Sequence, residues 1–241
     1  MANLLVDIGN TAVKASWADG MTIGKSFRYQ GEKLVEFILS LTEKEKADVM
    51  VVSSVYELSE HDSELFRKEC GALLILDGGH PEILRENGLP DYITYDRAAS
   101  IMAARYLFKG RGCTVVDLGT TLTVDFTDED GHYIGGNISL GCRTRIKALN
   151  RYSRALPRIN MPERVEVVGN TLESSMASGV VSGIVFELLG HIGLYPENII
   201  VFTGGDANYF AKRIKNSIFV VCNLVLIGLA QIADSYVKKN A

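Results

Sequence analysis

"LLVDIGNTAVKASW", residues 4–17, runs an apolar strand into an Asp and follows it at once with Gly-Asn-Thr. "TVVDLGTTLTVDF", residues 114–126, repeats the arrangement, and Asp7, Gly9 and Thr11 fall on Asp117, Gly119 and Thr121 at a common offset of 110. A tight glycine turn after a buried strand lets backbone N–H groups point outward, and Thr or Asn adds a donor for phosphate oxygens. A carboxylate beside such a turn can hold Mg²⁺, which prefers oxygen ligands and keeps several waters. One copy alone reads as a hairpin with an acid in its turn. Two copies in equivalent places read as a duplicated unit that grips a polyphosphate from both sides.

The surrounding pattern repeats as well. In the first half, residues 2–8, "TAVKASWADG" and "MTIGKSFRY" are strands of a meander with a turn at Asp19-Gly20. "EKLVEFILSLTEKEKA" spaces Leu34, Phe37, Ile38 and Leu41 at helical period, and the strand "DVMVVSSV" follows. "SELFRKECG" reads as a helix ending at Gly71, and "ALLILDGG" as the next strand, which gives βββαβαβ. From Cys113 three strands recur around a turn at Asp130-Gly131, and Ile23-Gly24 falls on Ile134-Gly135 at an offset of 111. Helical pattern covers residues 142–153 and 171–192, and "NIIVFTGGDANYFAKRI" is strand, glycine turn and helix. The boundary lies near "FKGRGC", after a helix of residues 97–108, so the domains are expected at 1–110 and 111–241, packed around a cleft.

Composition excludes several classes. The chain has 241 residues, 47% hydrophobic and 22% charged, enough for one large core or two modest ones. A net charge of -4 and a pI near 5.6, with no basic runs, give no footprint for nucleic acid or an anionic membrane. Cys70, Cys113, Cys142 and Cys222 lie far apart without a CxxC pair and read as reduced, small apolar side chains. "SIFVVCNLVLIGLAQIADSYV" carries Asn223 and Gln231 and reads as a buried strand and a core helix rather than a membrane span. No basic segment precedes the first apolar residues, so a cytoplasmic location without a signal peptide is expected. Trp17 reads as strand packing, His191 as a helix or core histidine and "TEKEKAD" as a solvated helix end.

A third glycine site, "VFTGGDA" at 201–207, sets Thr203, Gly204 and Gly205 between a strand and a helix, where backbone can approach a phosphate closely. Hairpin, second hairpin and late glycine turn in this order resemble the superfamily of acetate and sugar kinases, Hsp70 chaperones and actin. Within it the chain is similar to the type III pantothenate kinase family over essentially its whole length. The resemblance is carried by "DIGNTAVK" at 7–14, "YDRAAS" at 95–100, "DLGTTLTVD" at 117–125, "GGNISLG" at 135–141, "GNTLESSMASG" at 169–179 and "TGGD" at 203–206.

The resemblance implies an α/β fold of duplicated actin-like (ribonuclease H-like) units, each a mixed sheet with flanking helices, and ATP in the cleft between them. It implies phosphorylation of pantothenate to 4′-phosphopantothenate, the first step of coenzyme A biosynthesis, with Mg²⁺ and a monovalent cation, K⁺ or NH₄⁺. ATP contacts would come from Asp7, Ile8, Gly9, Asn10, Thr11, Ala12, Val13 and Lys14 of the first motif, from Thr120, and from Gly204 and Gly205. Asp7 would also hold Mg²⁺ through water, and Asp117 the monovalent cation. Asp96 would take the proton from pantothenate's hydroxyl, Thr94, Tyr95 and Arg97 would line the substrate with it, and Thr171 would join them. A homodimer is implied too, since the family builds part of its pantothenate pocket across a dimer interface, and "VVSGIVFELLGHIGL" offers apolar surface for it. Four departures from the family bear on pantothenate contacts more than on ATP contacts. Thr94 stands where the family has Gly, Leu140 replaces a Pro, Ile227 takes a usually acidic position, and "GLPDYITYDR" is shorter than the family's approach to the base, so that Tyr92 is a guess at the family's usual substrate-side tyrosine. The competing readings are a nucleotide-binding regulatory protein of this fold without kinase activity, and a kinase for another small hydroxyl substrate.

Overall fold

The computed structural model describes residues 2–240. The first sheet contains β1 (Asn3–Ile8), β2 (Val13–Asp19), β3 (Thr22–Tyr29), β4 (Ala47–Ser54) and β5 (Cys70–Leu76), in the order β3-β2-β1-β4-β5. Strands β1 to β3 are antiparallel neighbours. Gly20, at φ +53°, makes the β2–β3 turn, a backbone conformation that costs glycine little. Strands β4 and β5 run parallel to β1, and parallel neighbours need crossovers. Helices α1 (Leu34–Ser40) and α2 (Glu60–Arg67) supply them. Then come α3 (Pro81–Glu86) and α4 (Tyr95–Leu107).

The second sheet repeats the plan with β6 (Cys113–Leu118), β7 (Thr121–Thr127), β8 (Tyr133–Leu140), β9 (Ile199–Thr203) and β10 (Ile218–Val220), in the order β10-β9-β6-β7-β8. Read from the other end this is the order of the first sheet, so the βββαβαβ unit is duplicated. Helices α5 (Cys142–Tyr152) and α6 (Leu172–Leu194) make the first crossover, α7 (Ala207–Ala211) the second, and α8 (Leu224–Asn240) closes the chain.

The register refines the sequence match. β1 pairs with β2 from Ile8↔Val13, but β6 pairs with β7 from Leu118↔Leu122, so the second loop is one residue shorter. The Gly9 N–H donates to the Ala12 carbonyl at 3.1 Å and the Gly119 N–H to the Thr121 carbonyl at 3.0 Å. Ala12 is therefore the counterpart of Thr121, and Thr11 that of Thr120 rather than Thr121. The third strands likewise correspond through Ser16↔Ser26 and Asp125↔Gly136, which sets Gly24 against Ile134 at a shared irregularity and shifts the Ile-Gly match by one.

Two further expectations change. Helix α2 stops at Arg67, and Gly71 lies inside β5, where a Cβ would come within 2.8 Å of the Asp48 carbonyl oxygen. That glycine permits close strand approach instead of ending a helix. The chain also divides as Met1–Leu107 with Asn223–Ala241, and Phe108–Cys222. Helix α8, placed by the sequence reading in a domain of residues 111–241, packs instead on α4, β1 and β4. The reason is steric: Ala98, Ala99, Ala103 and Ala104 of α4 are fully buried, and a Cβ on Gly228 of α8 would lie 2.0 Å from the Ala99 carbonyl oxygen. Only a glycine lets the two helices meet so closely.

In the first unit Leu4, Val6 and Ile8 of β1 pack with Met50 and Val52 of β4 and with Ile38 and Phe66 of the crossover helices. In the second, Val116, Leu118, Leu122 and Val124 pack with Val180, Val181, Ile184 and Leu188 of α6 and with Phe202 and Phe210. Each such large side chain contributes about 1.5–3 kcal/mol on burial. Because side chains alternate along a strand, this burial turns Asp7 and Asp117 to the opposite face. All four cysteines are free thiols, three at least partly buried as expected and Cys222 exposed.

Candidate functional site

Both acids end their strands in the same setting. Asp7 lies opposite Lys14 of β2 and Ser53 of β4, while Asp117 lies opposite Thr123 of β7 and Thr203 of β9. Directly opposed residues share a face, so each carboxylate stands in a row with a hydroxyl on its parallel neighbour. Both hydroxyl residues are buried, Ser53 at 2% and Thr203 at 1% exposure. Ser53 escaped the sequence reading because "VVSSV" has no glycines; only the pairing identifies it as the counterpart of Thr203. Of the first motif, Ile8 and Val13 are buried, Asp7, Gly9, Ala12 and Lys14 are half-buried, and Asn10 and Thr11 are exposed in the turn.

In the second unit three segments meet around Asp117. Gly204, at φ +91°, lies so close that a Cβ there would approach Asp117 Oδ1 to 2.4 Å and the Leu118 backbone to 2.6 Å. The Asp206 N–H donates to the Leu118 carbonyl at 3.0 Å, which ties the "TGGD" turn to the end of β6. On the other side the Gly141 N–H and the Thr144 hydroxyl both donate to the Thr120 carbonyl, at 3.0 and 2.7 Å. A Cβ on Gly141 would sit 2.0 Å from the Gly119 carbonyl oxygen, so the α5 start rests directly on the second loop. The structure thus sets the turn that holds Gly204 and Gly205 against Asp117 and the end of β6, from which the Thr120 loop continues. Gly141 and Asp206, which end the motifs "GGNISLG" and "TGGD" and were given no role of their own, join them, as do Arg143 and Thr144, which lie outside the motifs.

The substrate-side residues begin α4. The Ala98 N–H donates to the Thr94 carbonyl at 2.9 Å, so Thr94 caps the helix and Asp96 stands in its first turn. The Arg97 N–H donates to Asp96 Oδ1 at 2.9 Å. Asp96 is half-buried, whereas Tyr95 and Arg97 are buried at 7% exposure. Burial also pushes the Tyr95 hydroxyl's pKa upward, so it remains a neutral donor. Tyr92, at 69% exposure, points away from any packed setting.

Thr171 has a structural occupation: it caps α6, its hydroxyl accepting from the Ser174 N–H at 3.1 Å while the Ser174 hydroxyl accepts from the Thr171 N–H at 2.9 Å. A concavity of about 740 Å³ between α1 and α2 mixes Glu36, Glu43, Glu69, Lys44, Lys46 and Lys68 and holds none of the motif residues.

Two actin-like units, each ending its first strand in an acid, a turn and a hydroxyl residue, define a protein of the actin-like kinase fold. The activator of 2-hydroxyisocaproyl-CoA dehydratase from Clostridium difficile, solved with bound ADPNP, has the same fold, with a TM-score of 0.62 at 13% identity over 100% of this chain and 97% of that one. The family model described as type III pantothenate kinase matches residues 3–192. A type III pantothenate kinase of Flavobacterium psychrophilum is 35% identical over 94% of this chain and 96% of its own, and one from Bacteroides fragilis is 33% identical over 96% and 97%. The chain belongs to the type III pantothenate kinase family.

Proposed function

We propose that the protein transfers the γ-phosphoryl group of ATP to the primary hydroxyl of pantothenate, giving ADP and 4′-phosphopantothenate. The observation that carries this reading is the family match from residue 3 to residue 192, a span that includes Asp96 and Arg97 at the start of α4. Phosphoryl transfer needs positioning and neutralisation of charge more than covalent chemistry. The first loop, Asp7 to Lys14, takes phosphate oxygens through turn N–H groups, the Thr11 hydroxyl and the Lys14 ammonium. Thr120, the structural counterpart of Thr11, does the same from the second loop, with Gly204 and Gly205 admitting the nucleotide close to the backbone. Arg97 fixes the substrate. As the new O–P bond forms and the bond to the β-phosphate oxygen breaks, the hydroxyl proton passes to Asp96.

The donors suit hard cations. Asp7, in a row with Ser53, offers oxygen to a hydrated Mg²⁺. Asp117, in a row with Thr123 and Thr203, offers carboxylate and hydroxyl oxygens to K⁺ or NH₄⁺. Bound there, the two cations would offset the phosphate charge.

The active form is a homodimer joined through α6, in a cytoplasmic enzyme. Gly179, Gly183, Phe186, Gly190 and Gly193 recur at alternating spacings of four and three along this helix. Among the described residues, and apart from the chain neighbours and the helix's own nearby backbone, no atom lies within 4 Å of a Cβ at any of the four glycines, and Phe186 is 65% exposed. Helix α6 is long and apolar enough to cross a membrane by length and composition alone. Its opposite face is built into the core, so its exposed stripe suits a second protein surface better. Incubation with ATP, Mg²⁺, K⁺ and pantothenate, followed by mass and ³¹P analysis, tests the reaction. One phosphate ester on the primary hydroxyl is expected, and unchanged pantothenate beside intact protein overturns it.

A further inference from the structure

Arg143 has no place in the sequence motifs, yet it stands where three segments of the second unit converge. It is the second residue of α5, flanked by Gly141 and Thr144, which both bond the Thr120 carbonyl. Its Nη2 donates to Asp206 Oδ1 at 3.4 Å, and Asp206 belongs to the turn bonded to Leu118. The pair is lopsided: the Asp206 side chain is 10% exposed and that of Arg143 is 65% exposed. A long, solvent-screened ion pair adds little to folding, so holding the turn is a poor account of the arginine. What the geometry does achieve is to anchor one arm of a planar fork. The guanidinium ends beside the "TGGD" turn, on a helix whose first residues rest on the Thr120 carbonyl, and its remaining N–H groups meet no second carboxylate among the described residues.

We propose that Arg143 is a phosphate-contacting residue for the nucleotide held by Thr120, Gly204 and Gly205, with Asp206 as its positioning residue. This rests on the reading of those residues as the ATP site. A guanidinium suits the task because it stays charged and donates two parallel hydrogen bonds to phosphate oxygens. Tethering one arm reduces the side-chain entropy lost when the ligand arrives.

The test compares ligands that differ only in phosphate. Calorimetric titration of the full chain with ADP, a non-hydrolysable ATP analogue and adenosine is run for wild type, Arg143→Gln, Arg143→Lys and the exposed Lys147→Gln as control. Arg143→Gln should weaken ADP and the ATP analogue about tenfold or more, as loss of a charged hydrogen bond would. Adenosine should stay within about twofold, Arg143→Lys should recover part of the loss, and Lys147→Gln should behave as wild type. Equal weakening of ADP and adenosine, or none, overturns the proposal while leaving the kinase reading intact. A wild-type protein that binds no ADP overturns both.

Discussion

A single carboxylate carries the proposed proton transfer. Asp96 stands in the first turn of α4 and already accepts a backbone hydrogen bond from Arg97, which holds the side chain at the helix end. Asp96→Asn keeps the shape and that acceptor oxygen but cannot take a proton. We expect kcat to fall by about two orders of magnitude, in line with a positioned base, and affinity for an ATP analogue to stay within a few fold. Steady-state kinetics beside calorimetry decides it, and near-normal turnover would remove Asp96 as the base. Cys142, the first residue of α5, gives a separate expectation. Burial, reinforced by the Asp206 carboxylate, pushes its thiol from 9.0 up to about 11. The folded state therefore holds the proton more tightly than the unfolded chain. Its contribution is fully present below about pH 9 and is lost as pH rises through about 11. Melting curves from pH 8 to 11 should fall less steeply for Cys142→Ala than for wild type, and parallel curves would contradict this.

Helix ends separate a structural role from a functional one. Thr171 and Ser174 together close the start of α6, so each alanine variant should cost about 1 kcal/mol of stability. If Thr171 also contacts pantothenate, Thr171→Ala should raise the pantothenate KM and Ser174→Ala should not; equal KM values would leave Thr171 as a cap only. From sequence alone such a cap and a ligand contact look the same, because both ask for a hydroxyl before an apolar run. The strands and their succession along the chain were legible because the hairpins carry Asp-Gly turns and because the duplication checks itself. The loop equivalence of Thr11 with Thr120 was not, since one residue fewer in a turn leaves no trace in composition and only the pairing reveals it. The destination of α8 escaped for a related reason: the residues that decide it, Gly228 against Ala99, are small side chains that carry no pattern. Arg143 and Ser53 were missed because their partners, Asp206 and Asp7, lie far off in the chain and meet them only through the fold.

At the scale of the whole molecule, the glycine and Phe186 stripe on α6 bears on assembly. Phe186→Asp places a charge at its centre without touching the buried face, so sedimentation should convert a dimer to a monomer with lower turnover; a fully active wild-type monomer at micromolar concentration would contradict a functional dimer. The central claim is the reaction itself, and selectivity tests it most directly. An ADP-release assay with Mg²⁺, run over pantothenate and a panel of sugars and small hydroxy acids, in potassium and again in sodium, measures kcat/KM for each acceptor. Pantothenate should exceed every other acceptor by at least two orders of magnitude, in potassium and much less in sodium, as expected when buried polar groups match one substrate. Comparable rates on a sugar, or no pantothenate-dependent ADP release from folded, nucleotide-binding protein, would contradict the account.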